Sequence, residues 1–178
     1  IQVLPVNLEG LVEKAGVIFE GTCLSVEYRT DDQGILSTYT TFTVHQLWKG
    51  PLSQTLTIKT YGGIKGSLKA VVPGMPTFRP GERVLLFLHP ASEKGFTSPV
   101  GMGQGRFKIF TGPDGRKKAV NDDNNRHLFR NMDQGLLEAP WQQDTAHRLR
   151  ITDDSQAGPV DYDVLKYFIE TIAQRLSP

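Results

Sequence analysis

Leu8, Leu11, Val12 and Ala15 recur at the spacing of one helical face, with Asn7 ahead of them as an N-cap and Gly16 behind as a stop. A short helix over Leu8 to Ala15 is predicted. From Val17 to Tyr28 the period changes to two: Val17, Phe19, Gly21 and Cys23 point one way, and Ile18, Thr22, Leu24 and Val26 the other. Both sets are mostly apolar or small, so this strand is covered on both sides. The polar RTDDQG turn, Arg29 to Gly34, leads into Leu36 to Trp48, where Phe42 and Val44 share a face against Thr41 and Thr43. The two long strands form a predicted hairpin. After the Lys49 to Leu52 turn, Thr55 to Tyr61 alternates with Leu56 and Ile58 inward.

Residues 62 to 81 carry Gly62, Gly63, Gly66, Pro73, Gly74, Pro76, Pro80 and Gly81, interrupted by the apolar Val71, Val72, Met75 and Phe78. That loop is too long and too apolar for a plain connector. Arg83 to His89 is aliphatic on both faces, as a central strand must be. Shorter strands follow at Phe96 to Val100, Arg106 to Phe110 and Lys117 to Val120, the last two joined by the GPDG turn, Gly112 to Gly115. From Asn121 to Gly158 the chain is polar and aperiodic, read as loop with a helical turn or two anchored by Leu136, Leu137, Trp141 and Leu149. Val164, Leu165, Phe168, Ile172 and Leu176 then form a helical stripe, giving a final helix over Tyr162 to Leu176 capped by Asp161.

Helix, many strands, loop, helix, without strand–helix alternation, argues against a doubly wound parallel sheet. The pattern predicts a mainly β single domain, 1–178: a Greek-key antiparallel barrel of the OB type, with its core at about 8–120, a polar segment at 121–160 and the C-terminal helix at 161–176. Gly21 would supply a kink in the first strand.

Composition narrows the function classes. Twenty Lys and Arg stand against nineteen Asp and Glu, so the net charge of +1 gives no reason to invoke nucleic acid. The most apolar stretch, Val84 to Leu88, falls far short of the roughly 18 residues of a membrane helix. One cysteine, Cys23, excludes an intramolecular disulfide framework and a multi-cysteine zinc site.

Candidate chemistry is sparse. Cys23 with His45, on the paired strand, is the one thiol–imidazole pair the hairpin could assemble, against the commoner role of a buried small hydrophobe. His45, His89, His127 and His147 show no metal-ligand spacing. Asp122, Asp123, Asn124 and Asn125, and Asp153 with Asp154, offer oxygens in a row but lack the EF-hand pattern, while Asp31 and Asp32 read as a hairpin turn. The G-x-G-x-G of GMGQGRF lacks a strand-to-helix context and reads as a bulge at a barrel corner. Aromatics Tyr28, Tyr39, Phe42, Tyr61, Phe78 and Phe107 and the basic cluster Arg106, Lys108, Arg116, Lys117 and Lys118 are the features a nucleic-acid groove would use, but with acids spread throughout they read as a mixed surface. The Val71 to Phe78 loop is the best binding candidate, either a plug for the barrel end or a partner site.

The segments LVEKAGVIFEGTC, YTTFTVHQLWKG, TLTIKTYGG, VPGMPTFRPGERVLLFL and GQGRFKI, in that order between Leu8 and Ile109, resemble secreted bacterial domains related to the netrin-like and tissue-inhibitor-of-metalloproteinase family. The resemblance implies an OB-type barrel with flanking helices. It does not carry over the family's inhibition by an N-terminal cysteine, because the chain opens on Ile1 and holds only Cys23. An opening residue other than Met is what a processed chain or a trimmed segment shows; with the resemblance it gives the expectation of a periplasmic or extracellular protein. The expected function is a non-enzymatic binding or accessory module for a protein partner, without cofactor or metal, using Val71, Val72, Met75, Phe78 and Tyr61. The alternatives are a protease inhibitor acting through Val71 to Phe78 and a thiol hydrolase using Cys23 and His45.

Overall fold

The two longest runs of threonine, aromatic and β-branched residues form the two longest strands. β1 (Val17–Thr30) and β2 (Leu36–Lys49) pair antiparallel along their length in the computed structural model, which describes residues 3–137 and 157–177. Asp31 closes the hairpin: its carboxylate accepts the amides of Gln33 (2.9 Å) and Ile35 (2.8 Å) and takes an ion pair from Lys59 (2.9 Å). β3 (Thr55–Tyr61) pairs with β2. A separate two-stranded hairpin, β4 (Gly63–Lys65) and β5 (Leu68–Ala70), stands inside the segment predicted as loop. The main sheet continues with β6 (Arg83–Leu88), β7 (Arg106–Thr111), β8 (Lys117–Asn121) and β9 (Val160–Asp161).

The sheet order is β3-β2-β1-β6-β7-β8-β9, all pairs antiparallel. β6 returns by a long connection to lie beside β1, so β6-β1-β2-β3 is a Greek key. The mainly β, antiparallel part of the prediction stands, and among the described residues the two edge strands of the sheet, β3 and β9, do not pair with each other to close a barrel. The outer side of β3 instead meets Phe96 and Thr97: Lys59 bridges to Phe96, and Thr97 donates its amide to the Lys59 carbonyl at 2.9 Å. Phe96 to Val100, predicted as a strand, is therefore an irregular segment making isolated bridges, with Phe96 and Val100 buried.

β6 divides the interior, as its apolar run on both faces requires. Leu85 and Phe87 join a first cluster under α1 (Leu8–Lys14), the short α2 (Gln134–Leu137) and α3 (Tyr162–Leu176). Val84, Leu86 and Leu88 join a second cluster with Phe19, Cys23, Phe42, Ile58 and Phe78. Glu20 ties the helical layer to the sheet from inside, accepting from the Tyr162 hydroxyl (2.6 Å) and from Arg83 (2.7 Å).

Irregularities in the β1–β2 pairing change which side chains share a face. Register shifts lie at Ile18/Phe19, Glu20/Gly21 and Cys23/Ser25. The last leaves Leu24 without a partner and exposed, and moves Val26 onto the side of Phe19 and Cys23, against the simple alternation. Beside the middle shift, a Cβ on Gly21 would stand 2.4 Å from the Thr43 carbonyl oxygen. The position needs glycine because two backbones meet there.

Helix ends also differ from expectation in detail. Asn7 caps α1 through its side chain to the Gly10 amide (2.9 Å), but the stop is Ala15, whose extended backbone feeds β1, rather than Gly16. Asp161 precedes α3 without a side-chain capping bond, because Arg116 and Lys118 hold its carboxylate. The Gly-rich Gly101 to Gly105 stretch is a single turn of 3-10 helix (Met102–Gly105) rather than a bulge. In the polar segment, Leu128, Met132 and Leu136 are buried in the first cluster; Trp141 and Leu149 lie outside the described residues.

Candidate functional site

The candidate site grows out of the second core cluster. Strand pairing stacks three rows on one face of β1, β2 and β3: Cys23–Phe42–Leu56, then Val26–Thr40–Ile58, then Tyr28–Thr38–Thr60. The first row and Ile58 are core, whereas Val26, Thr40, Tyr28, Thr38 and Thr60 floor a cavity of about 240 Å³. Toward the end of the sheet the apolar ladder is thus replaced by threonines and a tyrosine. Thr38 spends its hydroxyl on the Gly62 carbonyl (2.8 Å), and Thr40 and Thr60 are nearly fully buried.

The walls come from the segment that follows β3. Gly62 and Gly63, with φ of 90° and 142°, swing the chain back over the floor, and a Cβ on Gly63 would meet the Tyr28 ring at 2.6 Å. The β4–β5 hairpin contributes Ile64, Lys69 and Ala70, and the loop beyond it Val71, Val72, Met75, Pro76, Thr77 and Phe78. The loop is clamped at its far end. Arg106, buried between β7 and the loop, donates to the Thr77 carbonyl (2.9 Å), pairs with Glu82 (3.4 Å) and Asp122 (3.1 Å), and lies over the Phe78 ring. Phe78 packs edge-on against Phe42 at 5.2 Å. That end of the wall is therefore held by contacts within the chain.

All five residues predicted as the binding surface border this cavity, but in different ways. Phe78 is a plug, buried in the second cluster, whereas Val72 and Met75 are half-buried lining and Val71 is 71% exposed at the rim. Tyr61 borders the cavity while its ring, on the Lys59 side of β3 by strand alternation, stacks on Phe96 at 3.7 Å. Tyr28, Ile64 and the floor threonines escaped prediction. Their signal was present in the alternate threonines at 38, 40 and 60 and in the Gly62–Gly63 pair.

The other candidates are not assembled. Cys23 is buried beside Phe19 and Phe42, and burial, with the Glu82 carboxylate, raises its thiol pKa above the ordinary value. His45 is exposed and hydrogen-bonded to Thr22 (2.7 Å), whose side chain leaves the strand on the opposite side from that of Cys23. The thiol–imidazole pair of the hydrolase reading does not exist in this arrangement. His89 and His127 are separate, and His147 lies outside the described residues.

Asn121 and Asn125 are buried, and each side-chain oxygen accepts backbone amides: Asn121 from Asp123 (3.0 Å) and Asn125 (2.7 Å), Asn125 from Asn121 (2.9 Å). Asp122 is held by Arg106. These oxygens build a turn, and among the described residues no cluster of three or more His, Cys, Asp or Glu is placed to hold a metal ion. Asp153 and Asp154 lie outside the described residues.

The basic cluster is largely spent: Arg106 on Glu82 and Asp122, Arg116 on Asp161, Lys118 on Asp114 (3.2 Å) and Asp161. Lys108 and Lys117 remain on the surface. Of the predicted aromatics, Phe42, Phe78 and Phe107 are core, and Tyr39 lies under the Arg29 guanidinium at 3.8 Å. No helix among the described residues is long and apolar enough to cross a membrane.

Compared with known protein families, curated proteins and solved structures, the chain matches none.

Proposed function

We propose that this protein is a binding module that receives one apolar side chain of a protein partner in the cavity between the β1–β2–β3 face and the Gly62–Phe78 segment. The observation that carries this reading is the joining of a preformed cavity to an exposed apolar rim. At about 240 Å³ it falls below the ~300 Å³ at which small-molecule pockets begin, a size suited to a single side chain. Around it Tyr28, Ile64, Leu68 and Val71 are exposed together, as at the edge of a protein interface. A hot-spot side chain in a desolvated pocket with near-neutral contacts about it is the usual energetic layout of such interfaces.

An OB-type origin and an exported setting belong to the same proposal. The Greek key β6-β1-β2-β3 supports the first, as a barrel opened where β3 meets Phe96 and Thr97; the resemblance of the segments between Leu8 and Ile109 to secreted netrin-like domains supports the second.

The test is an NMR titration with N-acetyl-phenylalaninamide as a side-chain probe. Saturable shifts confined to Val72, Met75, Ile64 and the floor threonines are expected, and Met75→Asp should abolish them while leaving the spectrum elsewhere intact. Shifts absent at millimolar probe, or spread over other surfaces, would overturn the reading.

A further inference from the structure

Among the described residues, the buried side chains that carry a hydroxyl are Ser37, Thr40, Thr60 and Tyr162. Ser37 donates to the Ile35 carbonyl (3.0 Å) and Tyr162 to the Glu20 carboxylate (2.6 Å), as burial of a hydroxyl requires. Thr40 and Thr60 are 1% and 6% exposed, yet neither hydroxyl has a hydrogen-bond partner among the described residues. The side-chain polar atom that is both closed off and without a partner there is the Trp48 indole nitrogen, not either threonine oxygen. Both hydroxyls therefore open on a space, and the space their face of the sheet borders is the cavity. The third floor threonine is different, since Thr38 gives its hydroxyl to the Gly62 carbonyl (2.8 Å). Thr40 lies opposite Ile58 and Thr60 opposite Thr38, which makes Thr40 and Thr60 diagonal neighbours on one face, within reach of one group seated between them.

Resting on the binding reading above, we infer that the side chain received in the cavity is a tyrosine, its ring between Val72, Met75 and Phe78 and its phenol hydroxyl on Thr40 and Thr60. Apolar walls over a hydroxylated floor ask for an apolar body with a polar tip. Serine and threonine have the tip without the body, and phenylalanine and leucine the body without the tip. The tryptophan nitrogen donates only, whereas a phenol donates and accepts, so it can accept from one threonine while donating to the other. A wholly apolar occupant would take water away from both floor hydroxyls and give nothing back, which costs affinity.

The experiment titrates the full chain, followed by amide NMR shifts, with N-acetyl-tyrosinamide against N-acetyl-phenylalaninamide and with p-cresol against toluene. The tyrosine amide is expected to bind about five- to tenfold tighter than the phenylalanine amide. In Thr40→Val and in Thr60→Val the tyrosine amide should weaken toward the phenylalanine value while the phenylalanine amide holds, and Thr40→Ser, which keeps the hydroxyl, should keep the preference. Folding is checked in the same set: the chain offers the Thr40 hydroxyl no bond, so Thr40→Val should keep the parent's urea midpoint, whereas Thr38→Val strips the Gly62 carbonyl of its donor and should lower it. Equal binding of the two amides, with shifts at Val72 and Met75, would overturn the tyrosine and leave the apolar reading standing. Binding by none of the four probes would overturn both. Preference for p-cresol over toluene without binding of the tyrosine amide would make a free phenol the ligand and overturn the protein partner. A tyrosine preference that survives in both valine variants would overturn the assignment to these two hydroxyls.

Discussion

At the scale of single residues, the conformation turns on places where backbone approaches backbone. Gly21 lies in the middle of the longest strand, where entropy disfavours glycine, yet its missing Cβ is the space the Thr43 carbonyl occupies. Gly21→Ala must push β1 and β2 apart beside a register shift that skips His45 of β2 and brings Leu47 and Val44 onto one face. A loss of about 1–3 kcal/mol is expected by the scale of overpacking penalties, read as a lower urea midpoint at unchanged slope. If Gly21→Ala matched the parent, the strand would have room that the geometry denies. The contrast with Cys23 is instructive, since a residue that looks chemical in the sequence is core filling, and the glycine read as a kink stands where two backbones meet.

At the scale of elements, the β1–β2 hairpin is closed by one carboxylate. The Ile35 amide, then the Lys59 ammonium and the Gln33 amide, hold the Asp31 pKa below the ordinary aspartate range, and Lys59 is correspondingly held protonated. A carboxylate favoured in the folded state contributes fully above its unfolded value, ~3.9, and loses that contribution as the pH falls through the lowered native one. Asp31→Asn should therefore lie below the parent in urea midpoint at pH 6 and converge on it near pH 2; a gap constant with pH would remove the charge from the account. Most elements were legible: the 3.6 stripes of α1 and α3, the two long alternating strands, and β6 with apolar residues on both faces. Three kinds were not, each for a physical reason. β4 and β5 are three residues each, too short for a period to register, and sit between glycines that resemble loop. Phe96 to Val100 has strand composition, but only isolated bridges receive it. Leu128, Met132 and Leu136 recur every four residues as on a helix, yet Asn124, Asn125, His127 and Asn131 take positive φ and hold most of that segment in turns. Val71, Val72, Met75 and Phe78 were picked out by their apolarity in a Gly/Pro-rich segment, a composition signal, and they border the cavity; its floor needed strand register, which the irregular β1–β2 pairing hides.

At the scale of the whole molecule, the sheet separates two cores that are closed by different means. Helices α1 and α3 cover the first, and the second includes Phe78, a loop residue beside the Thr77 carbonyl that Arg106 holds. The cavity and the second core thus adjoin at Phe78, which lines the one and belongs to the other. Phe78→Ala removes that ring, and large-to-small changes of this kind cost about 3–5 kcal/mol, least where the surroundings can collapse. Here Arg106 holds the Thr77 carbonyl beside the gap, so the cavity should enlarge toward Phe42 and Phe19 instead of collapsing. An enlarged apolar cavity stays dry and takes small aromatic guests. Indole or benzene at saturation should therefore raise the melting temperature of Phe78→Ala by several degrees and leave the parent, whose cavity stops at the Phe78 ring, little changed. A variant that melts at the same temperature with and without indole would mean that the loop has closed over the gap, and Phe78 would then be a replaceable cover rather than the wall between the core and the site.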